Sequence, residues 1–189
     1  MLIKKLDYPK VPVNLIDAEL KKIKHILDDP ESASEHSWGY VTELDVEASI
    51  KAFKLDKDSV LVKWLNENIG DHYWSIHIIW GGNTLPPHID PGRTYGFNYV
   101  IEPGGANVIT KSYEPREKNI KDLGLGVPIS YNDIICVQEE LCSKNKWYSL
   151  RVDQVHSVEG LESMRIILNY SSPEDEQELK TIWNARQDI

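Results

Sequence analysis

A histidine and an aspartate, separated by one residue, stand in the proline-rich stretch Pro86-Pro87-His88-Ile89-Asp90-Pro91. Residues that precede a proline are disfavoured in the α-helical region, so the stretch is predicted to run extended. In an extended chain the side chains of residues i and i+2 point to the same face, which places the imidazole of His88 beside the carboxylate of Asp90. Such a pair can supply two ligands to one metal ion.

A distant histidine, His156, is the candidate for a third ligand. Two imidazoles and one carboxylate form the facial triad that holds Fe(II) and leaves positions open for other ligands. Zinc is the competing metal, because two histidines and one acid also occur in hydrolytic zinc sites. The alternative without a metal is a loop histidine next to a turn aspartate.

An arginine follows His156 by nine residues, inside the apolar run Met164-Arg165-Ile166-Ile167-Leu168. A charged side chain at an inward position is seldom buried without a partner. A bound dicarboxylate would be such a partner, because the planar guanidinium engages a carboxylate through two hydrogen bonds. The structural alternative is a salt bridge from Arg165 to Glu159 or Glu162.

Together these residues resemble a known signature. His88-Ile89-Asp90, His156 and Arg165 are similar to the His-x-Asp…His…Arg pattern of the Fe(II)- and 2-oxoglutarate-dependent oxygenases, over roughly residues 72–172. The stretch that begins at His156 resembles the prolyl and aspartyl/asparaginyl hydroxylase branches. The resemblance implies three catalytic metal ligands, 2-oxoglutarate and O2 as cosubstrates, and Arg165 as the residue that binds the far carboxylate of 2-oxoglutarate. That role favours iron over zinc, since a hydrolase would need a general base instead.

Further candidates for the same pocket lie on the neighbouring strands. Asn98 takes the opposite face from Phe97 and Tyr99, and either it lines the cavity or it is a hydrogen-bonded sheet residue. Asn169 shares the face of Arg165. Arg93 either meets a carboxylate of substrate or cosubstrate or is a solvated loop arginine.

The hydrophobic pattern predicts one domain, residues 1–189, that is mainly β-structure with flanking helices. Residues 1–70 are predicted to form helical support, 71–172 a double-stranded β-helix (a jelly roll of the cupin kind) and 173–189 a C-terminal helix. The turn at residues 103–105 is predicted to join strands 95–102 and 106–113 as a hairpin. Residues 31–45 and 114–130 are predicted to shape substrate specificity.

The composition excludes several classes of protein. The net charge of −9 argues against an extended nucleic-acid surface. No apolar run approaches the ~20 residues that span a bilayer, and the N-terminus lacks the apolar region of a signal peptide, so a cytoplasmic location is expected. Two cysteines are too few for a disulfide framework, and Cys136 is predicted to be a small core residue.

The sequence therefore favours an Fe(II)- and 2-oxoglutarate-dependent dioxygenase that hydroxylates a small-molecule or peptide substrate while 2-oxoglutarate is decarboxylated to succinate. The alternative from another class is a non-catalytic, cupin-like protein that binds a metal or a small molecule. Formation of succinate from 2-oxoglutarate separates the two.

Overall fold

The structure, a computed structural model, describes residues 2–30, 49–90, 92–116 and 129–171. In this part of the chain ten strands form two antiparallel sheets, and three helices flank them. The helices are α1 (Val13–Lys22), α2 (Lys24–Asp28) and α3 (Val60–Asn68). The strands are β1 (Ile3–Leu6), β2 (Ser49–Lys54), β3 (Tyr73–Trp80), β4 (Thr84–His88), β5 (Tyr95–Glu102), β6 (Ile109–Pro115), β7 (Ile134–Leu141), β8 (Trp147–Arg151), β9 (His156–Glu159) and β10 (Arg165–Ser171).

The major sheet has six strands in the order β1-β8-β5-β10-β3-β2, and the helices cover its outer face. Strand alternation explains why it has two different faces. In β3, Trp74 and Ile76 pack in the same core cluster as Leu61 and Leu65 of α3, whereas the intervening side chains point towards the other sheet. Burial of the apolar side chains on this outer face stabilises the packing of the helices against the sheet.

The minor sheet has four strands in the order β4-β9-β6-β7 and lies against the inner face of the major sheet. Between the two sheets, Ile79 of β3 packs with Leu85 of β4 and Val158 of β9. The molecule is thus a two-sheet jelly roll with helices on one side. The predicted fold class is confirmed.

Two predictions about elements are wrong. The N-terminal 70 residues are not only helical support, because β1 pairs with β8 and β2 pairs with β3 at the two edges of the major sheet. Strands β5 and β6 do not form a hairpin, because β5 pairs with β8 and β10 while β6 pairs with β7 and β9. The turn between them, with Gly104 at φ +89°, carries the chain from one sheet to the other.

One side chain joins the two sheets where their edge strands β1 and β7 approach. The side-chain oxygen of Gln138 accepts hydrogen bonds from the backbone N–H groups of Leu2 (2.8 Å) and Ile3 (3.0 Å), and its nitrogen donates to the carbonyl of Ile3 at 2.6 Å. A bulge in the β6–β7 pairing lies beside it. The bulge inserts an unpaired residue and so changes which side chains face the interior.

Three further expectations concern single regions. Cys136 is exposed and so is not the core residue that was predicted, whereas Cys142 is buried. The predicted C-terminal helix at 173–189, the specificity region 31–45 and most of the region 114–130 lie outside the described residues. No helix among the described residues has the length and apolarity needed to cross a membrane.

Candidate metal centre

Three predicted ligands converge between the sheets. His88 ends β4 and His156 begins β9, and the two residues are directly paired across these strands. One carboxylate oxygen of Asp90, Oδ1, lies 3.4 Å from Nε2 of His88 and 3.8 Å from Nε2 of His156. One ligand atom from each of the three residues can be chosen so that all lie within 4.8 Å of one another.

Backbone hydrogen bonds fix the orientation of both imidazoles. Nδ1 of His88 donates to the carbonyl oxygen of Pro86 at 2.7 Å, and Nδ1 of His156 donates to the carbonyl oxygen of Gln154 at 3.0 Å. With the proton on Nδ1, the lone pair of a neutral ring is on Nε2, the atom that faces Asp90. Second-sphere hydrogen bonds of this kind orient metal-binding histidines in general.

Asp90 is held in place through both its backbone and its side chain. Its backbone N–H donates to the carbonyl of Val152 at 2.9 Å, and its Oδ2 accepts a hydrogen bond from Nη2 of Arg93 at 2.7 Å. Burial alone would raise the pKa of this carboxyl group, but Arg93 and then His88 hold it well below its usual range. Asp90 is therefore an anion at neutral pH, as a metal ligand must be.

The electrostatics of the two histidines differ. Burial and then the neighbouring His88 lower the pKa of His156 to about 4, so its ring is neutral at pH 7. Burial opposes a charge on His88 as well, but the hydrogen bond to Asp90 outweighs it and raises the pKa of His88. A cation bound between them would take the place of that proton beside the carboxylate.

Arg165 lies on the inner face of β10 with 3% of its surface exposed. Its Nη1 donates to the carbonyl oxygen of Pro103 at 3.2 Å, and its buried Nε has no hydrogen-bond partner among the described residues. Burial lowers the pKa of the guanidinium. The predicted alternative of a salt bridge to Glu159 or Glu162 is not observed in the described part of the chain, where Glu159 instead pairs with Lys111 at 2.8 Å.

Two further polar residues lie on inward faces of the sheets. Ser112 pairs with His156 across β6 and β9, is fully buried, and has a hydroxyl without a hydrogen-bond partner among the described residues. His77 projects from the inner face of β3, and its Nε2 is 3.0 Å from the hydroxyl of Ser75. Burial and then Arg93 lower the pKa of His77 to about 3, so this ring is neutral. The alternation of strand 73–80 indicates that His77 could border the interior, whereas an isolated serine such as Ser112 carries no sequence signal.

The other predicted site residues form one chain of hydrogen bonds. Nη1 of Arg93 donates to Oδ1 of Asn169 at 2.9 Å, and Nδ2 of Asn169 donates to Oδ1 of Asn98 at 2.6 Å. Asn98 lies on the inner face, directly opposite Asn169 across β5 and β10. The structure therefore brings Arg93 to the carboxylate of Asp90 and Asn169 rather than to solvent.

The donor set fits a divalent transition metal. Metal–ligand bonds of about 2.1 Å place neighbouring ligand atoms roughly 3 Å apart, and the separations of 3.4 and 3.8 Å are close to that value. Two imidazoles with one carboxylate are the ligands of non-haem Fe(II) sites. The unpartnered donor atoms of Arg165 and Ser112 also suit an anionic ligand between the sheets, because a buried donor without an acceptor is costly.

Comparison of the sequence with models of known protein families and with curated proteins gave no match. Among solved structures, a prolyl-4-hydroxylase from Pseudomonas putida aligns with a TM-score of 0.51 at 11% identity, covering 90% of this chain and 92% of that chain. A prolyl hydroxylase from Trichoplax adhaerens, in complex with a peptide fragment of the hypoxia inducible factor oxygen degradation domain, aligns with a TM-score of 0.49 at 13% identity, covering 94% and 85%. The resemblance to the Fe(II)- and 2-oxoglutarate-dependent oxygenases is thus confirmed at the level of the fold, which this chain shares with a prolyl-4-hydroxylase.

Proposed function

We propose that this protein is an Fe(II)- and 2-oxoglutarate-dependent dioxygenase that hydroxylates a small-molecule or peptide substrate. The observation that carries the proposal is Arg165, a buried guanidinium on the same face of β10 as Asn169, whose side chain bonds to the Arg93 that holds Asp90. A metal-binding barrel without a cosubstrate has no need for such a group.

The buried positive charge of Arg165 is energetically costly unless a partner offsets it. Burial of a charge without a counter-ion is strongly unfavourable, and no carboxylate pairs with Arg165 among the described residues. A dicarboxylate whose far end reaches Arg165 would supply the missing charge through the two parallel hydrogen bonds that guanidinium groups favour. The hydrogen bond to the Pro103 carbonyl holds the guanidinium in place for this contact.

The residues of the chain would bind the iron and the cosubstrate and orient them. His88, Asp90 and His156 would hold iron, and Arg165 would bind the far carboxylate of 2-oxoglutarate. The chemistry supplied by the bound iron and cosubstrate is oxidative: 2-oxoglutarate and O2 give succinate and CO2, while one C–H bond of the substrate becomes C–OH. The two sheets exclude water from this space through apolar side chains such as Val100 and Ile167.

The test is turnover of 2-oxoglutarate by the purified protein with Fe(II), ascorbate and O2, measured as succinate. We expect succinate from the wild-type protein even without the prime substrate, at a slow uncoupled rate, and none under anaerobic conditions or from His156→Ala. A protein that binds metal but neither binds nor decarboxylates 2-oxoglutarate would contradict the proposal and favour a non-catalytic binding protein.

The substrate is identified by mass. Candidate peptides and small metabolites are incubated with the active protein, and the product is expected to be heavier by one oxygen atom. The His156→Ala protein is the control, since a mass gain that persists in this variant would come from free iron and not from the enzyme.

A further inference from the structure

The two oxygens of Asp90 have different surroundings. Oδ1 faces the Nε2 atoms of His88 (3.4 Å) and His156 (3.8 Å), whereas Oδ2 accepts a 2.7 Å hydrogen bond from Nη2 of Arg93. The Arg93 side chain is largely buried, with 12% of its surface exposed. The carboxylate therefore presents one oxygen to the ligand cluster and commits the other to the protein.

Arg93 is itself held from the central strands of the major sheet. Its Nη1 donates to Oδ1 of Asn169, which is 2% exposed, and Nδ2 of Asn169 is in turn bonded to Oδ1 of Asn98 at 2.6 Å and to the carbonyl of Phe97 at 3.4 Å. Each amide is thus fixed in one orientation by its neighbours. Because Asn169 holds Nη1 independently of Asp90, the guanidinium is restrained from following the carboxylate if that group rotates.

The backbone makes room for this arrangement at Gly96. A Cβ atom at this position would lie 3.3 Å from Nη2 of Arg93 and 3.1 Å from Cγ1 of Val152. A side chain here would therefore crowd the guanidinium. Gly96 and the side-chain amides of Asn98 and Asn169 together fix the position of the Arg93 guanidinium. A solvated loop arginine would not need such an arrangement.

We propose, building on the function proposed above, that Arg93 is a positioning residue that restricts Asp90 to coordination through one oxygen. A carboxylate can bind a metal ion through one oxygen or through both. If Oδ2 also bound, it would occupy one of the positions that this type of site leaves open for cosubstrate and O2. The Arg93–Asn169–Asn98 chain prevents this by holding Oδ2 away from the metal.

The test uses Co(II), whose visible absorption reports the number and geometry of its ligands without turnover. The variants are Arg93→Leu, Arg93→Lys and Asn169→Ala, and the matched control is Arg151→Leu. Arg151 also pairs with an aspartate, Asp153, but both side chains of this pair are about one-third exposed. Each protein is titrated with Co(II), and then the Co(II) protein is titrated with 2-oxoglutarate.

We expect Arg93→Leu to change the Co(II) spectrum, to weaken 2-oxoglutarate binding, and to weaken Co(II) binding by about 10- to 100-fold, the usual range when a residue that orients a metal ligand is lost. Asn169→Ala should change the spectrum in the same direction while the charge of Arg93 remains. The spectrum and 2-oxoglutarate affinity of Arg93→Lys should fall between those of Arg93→Leu and wild type, because lysine keeps the positive charge but lacks the planar guanidinium group. Arg151→Leu should match wild type.

A wild-type spectrum and wild-type 2-oxoglutarate affinity in Arg93→Leu would overturn the proposal. Should Arg93→Leu fail to fold, Arg93→Lys and Asn169→Ala decide in its place, and wild-type values in both would overturn the proposal equally. The outcome is separate from that of the proposed function. A wild-type protein that binds Co(II) but forms no succinate contradicts the dioxygenase, while the spectra still decide how Asp90 coordinates.

Discussion

Ser112 lies directly opposite His156 across β6 and β9, and its fully buried hydroxyl has no hydrogen-bond partner among the described residues. Ser157, the next residue of β9, is equally buried, but its hydroxyl bonds to Tyr113 at 2.9 Å and to Glu159 at 3.0 Å. These two neighbouring serines have the same burial, but only the hydroxyl of Ser157 has hydrogen-bond partners among the described residues. The difference points to a ligand-facing position at Ser112.

The first prediction compares these two serines. Ser112→Ala should leave the free energy of unfolding of the metal-free protein unchanged or raise it by up to about 1 kcal/mol, because it removes an unsatisfied hydroxyl. Ser157→Ala should lower it by about 1–2 kcal/mol, because it breaks satisfied hydrogen bonds. Urea unfolding measures both, and an equal loss in the two variants would show that Ser112 is satisfied in solution.

The second prediction concerns the carboxylate ligand. Asp90→Ala should abolish stoichiometric Fe(II) or Co(II) binding, since the two remaining imidazoles are too few to hold the ion and Arg93 would leave a positive charge beside it. Metal content after dialysis is the measurement. Asp153→Ala, which also removes an aspartate paired with an arginine, is the control and should retain metal. Unchanged iron content in Asp90→Ala would remove this residue from the ligand set.

The third prediction separates cosubstrate binding from metal binding. Arg165→Leu should weaken 2-oxoglutarate binding by at least about 10-fold, because the charged hydrogen bonds to its carboxylate, worth about 1.5–3 kcal/mol each, are lost. Co(II) affinity should stay close to wild type, since Arg165 is not among the ligands. Equal loss of both affinities would mean that the buried arginine serves the structure. Arg151→Leu provides the control for loss of an arginine elsewhere.

The fourth prediction tests the turn between the sheets. Gly104 (φ +89°) and Gly81 (φ +88°) have nearly the same φ angle. A Cβ at Gly104 would lie 2.9 Å from Cδ2 of Leu161 and 3.0 Å from Cβ of Arg165, whereas nothing lies within 4 Å of a Cβ at Gly81. Gly81→Ala should cost about 1–2 kcal/mol for the left-handed backbone alone. Gly104→Ala should cost about 1–3 kcal/mol more from overpacking. Thermal unfolding measures the difference, and equal losses would contradict the close packing.

The fifth prediction concerns Glu159, which accepts hydrogen bonds from Lys111, Tyr113 and Tyr131 on the outer face of the minor sheet. Burial disfavours its charge, but Lys111 and Tyr113 outweigh this and hold the pKa of Glu159 below its usual 4.5. A carboxylate whose pKa is lower in the folded than in the unfolded protein stabilises the fold at pH values above its unfolded-state pKa. This stabilisation is lost as the pH falls through the folded-state pKa.

Glu159→Gln should therefore lower the free energy of unfolding by about 1–2 kcal/mol at pH 7, and the gap to wild type should narrow as pH falls below 4.5. The control is Glu139→Gln, which removes a half-exposed carboxylate 3.3 Å from the same lysine and should cost less than about 1 kcal/mol. A gap that is constant with pH would show that the ionised form of Glu159 contributes nothing to stability.

The strands and the ligand cluster were predictable because their signals are local. Alternation in 73–80 and 95–102 marks two-faced strands, and the prolines around His88 force the extended backbone that places it beside Asp90. Pairing of the strands was not predictable. A glycine turn such as 103–105 permits both a hairpin and a crossing between sheets, and only tertiary packing selects the crossing.

Other features could not be predicted from the sequence, because tertiary structure overrides the local pattern. Strand β1 contains two adjacent lysines and carries no alternation, yet it pairs along its length with β8. Cys136 sits in an apolar run, but the bulge in the β6–β7 pairing leaves Ile135, Cys136 and Val137 all exposed. Arg93 could be proposed as a site residue, whereas its anchorage to Asn169, 76 positions away, required the folded chain.

The amide of Gln138 is a lock between β1 and β7, made of three hydrogen bonds from a single side chain and not of a backbone ladder. Substitution of Gln138 by alanine would therefore remove all three of these bonds between the sheets while leaving the backbone pairing of β1 with β8 and of β7 with β6 in place.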